Sequence, residues 1–223
     1  MTNMTLKLTL KSAATFGRGD GVAGLVDREI EQDRDGFPFL RGRTLKGLLA
    51  ESAENVVYAL EKQGQKDWCT TKNALFGKPG RGRDLEERGI LRVGDARLPE
   101  SLRTLVLIER AKTPAAFLRE EVEYALTAIR RQTAMNPDGA PEQTTLRAMR
   151  VLLRGLVLEA SLNFTQTLTA EQEALLAATV LDFRRAGTGR NRGRGWLQAD
   201  LLNEKQNDMT RTLFEKFVKE VKA

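Results

Sequence analysis

Apolar side chains recur at two different spacings along this chain, and these spacings predict alternating strands and helices. Residues 5–11 alternate strictly between polar and apolar, with leucines on one side, as in a half-buried strand. Residues 44–63 instead place apolar side chains every three or four positions, which predicts a helix that ends at a glycine. The intervening residues 17–42 are glycine-rich and too long for a simple turn, which is typical of a functional or disordered loop.

The remainder of the chain continues this alternation. The apolar run at 146–165 predicts one long strand, or a strand bent near Gly155. Thr169 and Gln172 form a T-x-x-Q capping box, so we predict a helix from Thr169 onward. The other predicted elements are a loop at 77–89, a strand at 90–98, helices at 116–130, 169–183 and 210–222, a polar turn at 136–139 and a strand at 196–202.

The core elements follow the order strand, helix, strand, strand, helix, strand. We therefore predict an α+β protein with a ferredoxin-like, RRM-like βαββαβ core. We interpret residues 1–223 as one domain, with insertions at about 12–42 and 99–145 and a C-terminal helical region at about 206–222. Because this fold serves many functions, it does not by itself identify one.

The composition excludes several classes of chemistry. The chain has 223 residues, no histidine and one cysteine, Cys69. It cannot build a Ser-His-Asp or Cys-His nucleophile, a complete Cys/His zinc site or an internal disulfide. Any catalysis must therefore use carboxylates, lysine, hydroxyls or a metal held by oxygen atoms. The single cysteine, the N-terminal pattern without a signal peptide and the lack of a membrane-length apolar run favour a cytoplasmic protein without a membrane partner.

Positive charge is concentrated in one segment. The formal net charge is +6, and residues 184–195 hold arginines and glycines with no acid between Asp182 and Asp200. Glycines expose backbone N–H groups and arginines bind phosphate with two donors, so we predict contact with a nucleic-acid backbone; the alternative is a flexible arginine-rich turn. The candidate RNA-binding residues of this segment are Gly187, Gly189, Arg190, Arg192, Gly193, Arg194 and Gly195.

A second basic segment lies where the first helix is predicted to begin. It contributes Arg41, Arg43 and Lys46, and the free N–H groups of a helix start favour anions. Arg18, in the glycine-rich stretch before it, is a further RNA-binding candidate. The acidic residues at 27–35 could hold Mg²⁺ or act in acid-base catalysis, although such runs are more often solvated loops.

Several motifs resemble one known family. Residues 35–47, DGFPFLRGRTLKG, resemble the pattern G-x-P-[YF]-[IL]-x-G-[ST]-[ST]-L-K-G of the RAMP superfamily of type III CRISPR effector proteins. Residues 75–77 and 90–96 resemble that family's LFG and strand-plus-D-A elements, and residues 187–195 its C-terminal glycine-rich loop. The resemblance implies a backbone subunit with a thumb-like insertion. It would bind CRISPR RNA (crRNA) and target RNA, and assemble with other effector subunits and copies of itself.

The resemblance also assigns roles to individual residues. In active members, an aspartate before the first helix cleaves target RNA with a divalent metal, Mg²⁺ or Mn²⁺. The G-x-P-[YF] anchor places this catalytic and metal-binding residue at Asp27. The thumb falls by position around Arg130, Arg131 and Met135, with Met135 as a candidate wedge between bases. Related subunits often bind zinc through Cys and His before the LFG element; here those residues are missing, so no zinc is expected.

Asp20 and Asp33 are less well placed for the role of the catalytic aspartate than Asp27. Three alternative functions also remain open. The first is a crRNA-binding and assembly subunit without catalysis. The chain could also be a guide-RNA processing endoribonuclease, although such enzymes often use histidine. The last alternative is an unrelated ferredoxin-like RNA-binding protein, which would not copurify with crRNA or effector subunits.

Overall fold

The computed structural model describes residues 3–65, 67–78, 88–113, 117–142 and 144–222. The strands are β1 (Asn3–Leu10), β2 (Leu91–Val93), β3 (Thr127–Gln132), β4 (Arg147–Leu152), β5 (Val157–Phe164) and β6 (Leu197–Leu202). The α-helices are α1 (Gly42–Lys62), α2 (Cys69–Phe76), α3 (Glu100–Lys112), α4 (Arg119–Leu126), α5 (Ala170–Asp182) and α6 (Thr210–Lys222). Within the described ranges, no helix is both long and apolar enough to cross a membrane.

The main sheet is antiparallel and has four strands in the order β2-β5-β1-β6. With α1 after β1 and α5 after β5, this is the ferredoxin-like arrangement, so the predicted α+β fold is confirmed. The alternation in β1 has the predicted effect. Leu6 and Leu8 are fully buried, whereas Lys7 lies on the opposite face between Glu159 and Asp200 of the neighbouring strands.

Helices α1, α2, α5 and α6 pack with the buried face of this sheet into one apolar core. Trp68, just before α2, is fully buried, and its ring centroid lies 5.3 Å from that of Phe217 in α6. The predicted capping box starts α5: Gln172 N–H donates to Thr169 Oγ1 at 3.2 Å, and Thr169 N–H donates to Gln172 Oε1 at 3.0 Å. Such a cap typically contributes about 1 kcal/mol.

The apolar run at 146–165 is two strands, so the prediction of one long strand is wrong. The chain turns at Gly155, where φ is 91°, a conformation that favours glycine. The N–H of Gly155 donates to the carbonyl oxygen of Leu10 at 2.8 Å. The bend was therefore placed correctly, but β5 joins the main sheet whereas β4 pairs with β3 in a separate two-stranded sheet.

The insertion between β2 and β5 contains α3, α4 and the β3–β4 hairpin. The helix predicted over 116–130 is observed only as α4, and the prediction is wrong for its last four residues, 127–130, because β3 begins at Thr127. Thr127 and Ile129 are β-branched and face Leu152 and Arg150 across the hairpin, so strand pairing outweighs the helical spacing. No element was predicted for the residues of α3.

The long loop before α1 contains no named strand or helix but is tied down by single backbone bridges. One bridge runs parallel between Arg28 and Met149, so residues 27–29 lie alongside β4. This contact brings the loop next to the insertion. The loop predicted over 77–89 falls largely outside the described residues.

Candidate nucleic-acid interface

An open cleft of about 800 Å³ lies between the arginine-rich segment and the β3–β4 hairpin. Residues 187–195 are called here the glycine-arginine loop, and its residues 187–192 and Arg194 form one wall. Asp27 and Arg28, together with Gln132 of β3 and the first residues of β4, form the opposite wall. The fold therefore places the arginine-rich segment and the predicted catalytic aspartate on one surface.

Glycines at both ends of the glycine-arginine loop allow the backbone to pack closely. Gly187 has a φ of 90°, and a Cβ atom there would lie 2.6 Å from the carbonyl oxygen of Thr15. A Cβ atom on Gly195 would overlap the carbonyl oxygen of Ala186. Any larger residue at either position would push the loop away from the segment that supports it.

The middle of the glycine-arginine loop presents unpaired amides. Gly189 and Gly193 are both left-handed and flank a single 3₁₀ turn. In the part of the chain that the structure describes, the N–H groups of Gly189, Arg190 and Asn191 have no hydrogen-bond acceptor. Successive unpaired N–H groups form an anion-binding concavity. The loop thus offers amides as well as guanidinium groups to a phosphate.

The arginines of this loop differ in their partners. Arg190 forms a two-bond ion pair with Glu51 of α1 at 2.8 and 3.0 Å. Arg194 donates to Gln132 Oε1 at 2.9 Å, which ties the loop to the hairpin. Arg192 is exposed, and its side chain has no partner among the described residues. No acid lies near Arg190 in the sequence, but the fold brings Glu51 of a distant helix to it, so its charge is neutralised.

The carboxylate of Asp27 is held by β4. Its Oδ2 accepts a hydrogen bond from the N–H of Ala148 at 2.6 Å, and its Oδ1 lies 3.9 Å from Nη1 of Arg147. The N–H of Asp27 donates to the carbonyl oxygen of Ala148 at 2.8 Å. The Asp27 side chain is nevertheless 46% exposed, so a ligand in the cleft can reach it.

A buried ion network fixes the Asp27 segment against the hairpin. Arg150 of β4 lies 2.9 Å from Glu29 and 2.9 Å from Glu123 of α4. Arg150 and Glu29 are both buried, and Thr15 donates its hydroxyl to the carbonyl oxygen of Arg150 at 3.0 Å. Removing one partner of a buried ion pair typically costs about 3–5 kcal/mol, so this network strongly constrains the segment.

The other candidate aspartates are neutralised by arginines. Asp20 pairs with Arg18 at 2.5 Å, and Asp33 lies 3.4 Å from Arg97 and 3.1 Å from Arg103. Within the described residues, no group of three or more Asp, Glu, His or Cys side chains could hold a metal ion. The acidic stretch is thus an ion-pair network rather than a metal cluster, and Asp27 is the carboxylate that lines the cleft.

The first N–H group of α1 is already occupied. The N–H of Gly42 donates to Asp95 Oδ1 at 2.9 Å, so a side chain from the segment after β2 caps the helix. Burial acts to raise the pKa of Asp95, but the hydrogen bonds from Gly42 and Arg97 prevail and lower that pKa below its ordinary value. Fewer free N–H groups are therefore available to bind an anion at this helix start than we expected from the sequence.

Two of the three basic residues near that helix start already form intramolecular contacts. Arg41 pairs with Glu31 at 2.8 Å, in a smaller depression of about 210 Å³ beside the glycine-arginine loop. The ammonium group of Lys46 donates to the carbonyl oxygen of Leu91 at 2.8 Å, and burial lowers its pKa. Arg43 is exposed and has no partner among the described residues, so it remains available to a ligand.

Residues 7–198 match the family model of the RAMP superfamily. The chain belongs to the RAMP superfamily. Its fold is similar to a chain of the apo state of type III-B Cmr-beta (TM-score 0.58, 11% identity, 91% of this chain and 98% of that chain). It is also similar to a chain of Cmr-beta bound to cognate target RNA (TM-score 0.61, 11% identity, 96% and 99%). No curated protein sequence matches significantly.

In this RAMP chain, the β3–β4 hairpin lies at the position predicted for the thumb. Arg130 and Arg131 are exposed on β3, and Met135 is 58% exposed near the hairpin tip. Arg131 lines a second depression of about 480 Å³, which shares Asp27 with the main cleft. None of these three residues lines the main cleft, and their RNA-binding role stays a prediction.

The cleft of this RAMP chain unites only part of the predicted site. The predicted residues that line it are Asp27, Gly187, Gly189, Arg190, Arg192 and Arg194. The predicted residues outside it are Arg18, Arg41, Arg43, Lys46, Arg130, Arg131, Met135, Gly193 and Gly195. Sequence reasoning assigned no site role to Arg28 and Arg147, because they belong to no motif and reach the cleft only through the contact of the loop with β4. Gln132 lies within the segment predicted for the thumb but was not named as an RNA-binding residue.

Proposed function

We propose that this RAMP chain is a crRNA-binding backbone subunit of a type III CRISPR effector complex, and that it cleaves bound target RNA through Asp27. One observation carries the proposal: the exposed carboxylate of Asp27 shares a cleft with a loop of arginines and unpaired amides. RAMP membership and the fold shared with chains of Cmr-beta, in one case bound to cognate target RNA, support it.

The glycine-arginine loop would bind the RNA backbone. Its unpaired N–H groups and the free guanidinium of Arg192 suit phosphate oxygens. Because every nucleotide carries the same phosphate, binding should be largely independent of the guide sequence. The proposed partners are crRNA, target RNA, other effector subunits and further copies of this chain, in the cytoplasm.

Asp27 is the group proposed to start cleavage. The 2′-hydroxyl of a target nucleotide would attack the adjacent phosphorus, so that the O2′–P bond forms and the P–O5′ bond breaks. The carboxylate would accept the proton from the 2′-hydroxyl, and water would protonate the departing 5′-oxygen. The products are a 2′,3′-cyclic phosphate and a 5′-hydroxyl. A strand held in line by the cleft would supply a further part of the rate.

A divalent cation, Mg²⁺ or Mn²⁺, fits this site only together with RNA. Asp27 offers one carboxylate, and the described residues hold no cluster of three metal-binding side chains. Mg²⁺ is commonly bound by one or two carboxylates with substrate phosphates and waters, so Asp27 and RNA phosphates could share it. When bound, the cation would neutralise part of the charge that develops on the phosphate.

Replacement of Asp27 tests the catalytic proposal. Asp27→Asn preserves the size of the side chain and an acceptor for the N–H of Ala148, but the amide cannot take up the proton. Assembled complexes with D27N should bind target RNA normally and cleave it about 10²–10⁴-fold more slowly in single-turnover assays. The matched control is D20N in the same loop, because among the described residues Asp20 forms its ion pair with Arg18 at the surface, and the loss of this pair should leave the rate unchanged.

A crRNA-binding and assembly subunit without catalysis is the second candidate function. The contacts of Asp27 favour it, because a carboxylate that joins Ala148 and lies near Arg147 could be purely structural. Equal cleavage by wild-type and D27N complexes would show that the catalytic assignment of Asp27 is wrong and would favour this alternative. Processing of repeat RNA by the purified chain alone would instead support a guide-RNA processing endoribonuclease.

A further inference from the structure

Arg147, the first residue of β4, lies beside Asp27 and has no part in the proposal above. Its side chain is 63% exposed and lines the cleft. Its Nη1 lies 3.9 Å from Oδ1 of Asp27, which is beyond hydrogen-bond distance. The guanidinium is therefore close to the carboxylate, and no hydrogen bond to another described residue occupies its N–H donors, which are available to a ligand.

Backbone contacts fix the position of Arg147 relative to Asp27. Asp27 accepts from and donates to Ala148, the next residue along β4, at 2.6 and 2.8 Å. Arg147 also faces Gln132 across the hairpin, and Gln132 accepts the hydrogen bond from Arg194 of the glycine-arginine loop. A side chain that starts from a paired strand is better positioned for catalysis than one on a free loop.

The other arginines of the cleft are less suited to act beside Asp27. The guanidinium of Arg190 is occupied by Glu51, and that of Arg194 by Gln132. Arg192 belongs to the opposite wall. Arg28 also lines the cleft, but no ion pair or hydrogen bond joins its side chain to Asp27 in the described part of the chain.

We propose that Arg147 is a catalytic residue that donates to a non-bridging oxygen of the scissile phosphate while Asp27 accepts the 2′-hydroxyl proton. This inference rests on the proposed cleavage function. Negative charge builds up on the phosphate as the O2′–P bond forms and before the P–O5′ bond breaks. A guanidinium held at that oxygen stabilises this charge more than the charge of the ground state, and so lowers the barrier.

The test is single-turnover cleavage by assembled complexes at saturating target RNA. R147A should slow cleavage about 10²-fold, as the loss of one oxyanion donor does. R147K should recover part of the rate, because it keeps the charge but not the planar pair of donors. Millimolar guanidinium ion should partly restore R147A and leave D27N slow. R154A is the matched control, since Arg154 is exposed in the turn after β4 and outside the cleft; it should cleave at the wild-type rate.

The outcomes separate this inference from the proposed function. If R147A cleaves normally while D27N is slow, Arg147 is not catalytic and the function of Asp27 stands. If R147A recovers completely at higher RNA concentration, Arg147 only binds RNA and the inference is overturned. If D27N itself cleaves normally, the proposed cleavage function fails whatever R147A does.

Discussion

The two walls of the cleft are built in different ways. The glycine-arginine loop is specified by consecutive residues, because its own glycines adopt the positive φ angles that shape it. The Asp27 wall is specified by pairs that are distant in sequence: Asp27 meets Ala148, and Glu29 meets Arg150. A wall made of consecutive residues can be recognised from the sequence, whereas a wall made of residues that are distant in sequence can be recognised only from the folded structure.

Disrupting the ion pairs that support the Asp27 wall should have the largest effect on stability. Arg150→Met leaves Glu29 and Glu123 without their cation at a buried site, so we expect the free energy of unfolding to fall by about 3–5 kcal/mol. Urea denaturation of the purified chain measures this loss. The control is R154M, at an exposed position with no partner in the described residues, where a change within about 0.5 kcal/mol is expected. Equal stability of R150M and R154M would mean that the network does not fix this wall.

Disrupting the glycine-arginine loop should reduce stability less and should mainly weaken RNA binding. Gly187→Ala strains a left-handed residue and crowds Thr15, so we expect a loss of about 1–3 kcal/mol and weaker RNA binding. Thermal unfolding and RNA titration measure the two effects. Gly47→Ala in α1 is the matched control, because a Cβ atom there meets nothing within 4 Å and should stabilise the helix by about 0.5–1 kcal/mol. Normal RNA affinity for G187A would contradict the claim that the loop conformation set by Gly187 is required for RNA binding.

Within the glycine-arginine loop, the contribution of each arginine to the salt dependence of RNA binding should depend on whether it already has an acidic partner. Arg192→Ala should lower the slope of log affinity against log salt by about 0.7–0.9, the value for one lost phosphate contact. Arg190→Ala should lower it less, because Glu51 already neutralises that guanidinium. RNA titrations over a range of salt concentrations measure both slopes. A larger change for R190A than for R192A would show that the pair with Glu51 opens when RNA binds.

The smallest effect concerns a second long-range contact, between Asp95 and the start of α1. Because the folded-state pKa of Asp95 is below its ordinary value of 3.8, its stabilisation is present above that pH and is lost as the pH falls through the folded-state value. D95N should therefore show a shallower fall of Tm than the wild type as the pH is lowered from about 5 to 2. D138N, at an exposed turn, should follow the wild type; an unchanged pH profile for D95N would contradict the role of this contact.

The sequence predicts the core of the fold well, because the burial of an element on one face leaves a period in its residues. The alternation in β1 and the capping box of α5 are both observed as predicted. The β3 segment was mistaken for a helix because its conformation depends on pairing with β4, which the spacing of its own residues does not reveal. Likewise, the loop before α1 shows no period, and its course depends on contacts with the insertion.

The candidate site divides in the same way. Its arginine-rich wall could be predicted because unusual residues stand next to one another, and Asp27 was placed only through the resemblance of the neighbouring motif. Glu51 could not be recognised as the partner of Arg190, nor Arg147 as the neighbour of Asp27, since each pair spans more than a hundred residues. Such pairs are decided by packing of the whole domain.

The central claim is that both walls hold the same RNA. The most direct test is a cryo-EM structure of the assembled complex with D27N and intact target RNA. We predict that residue 27 lies within about 3–3.5 Å of a target 2′-hydroxyl, with RNA phosphates against the glycine-arginine loop. RNA that follows the glycine-arginine loop but presents no 2′-hydroxyl to residue 27 would contradict the claim.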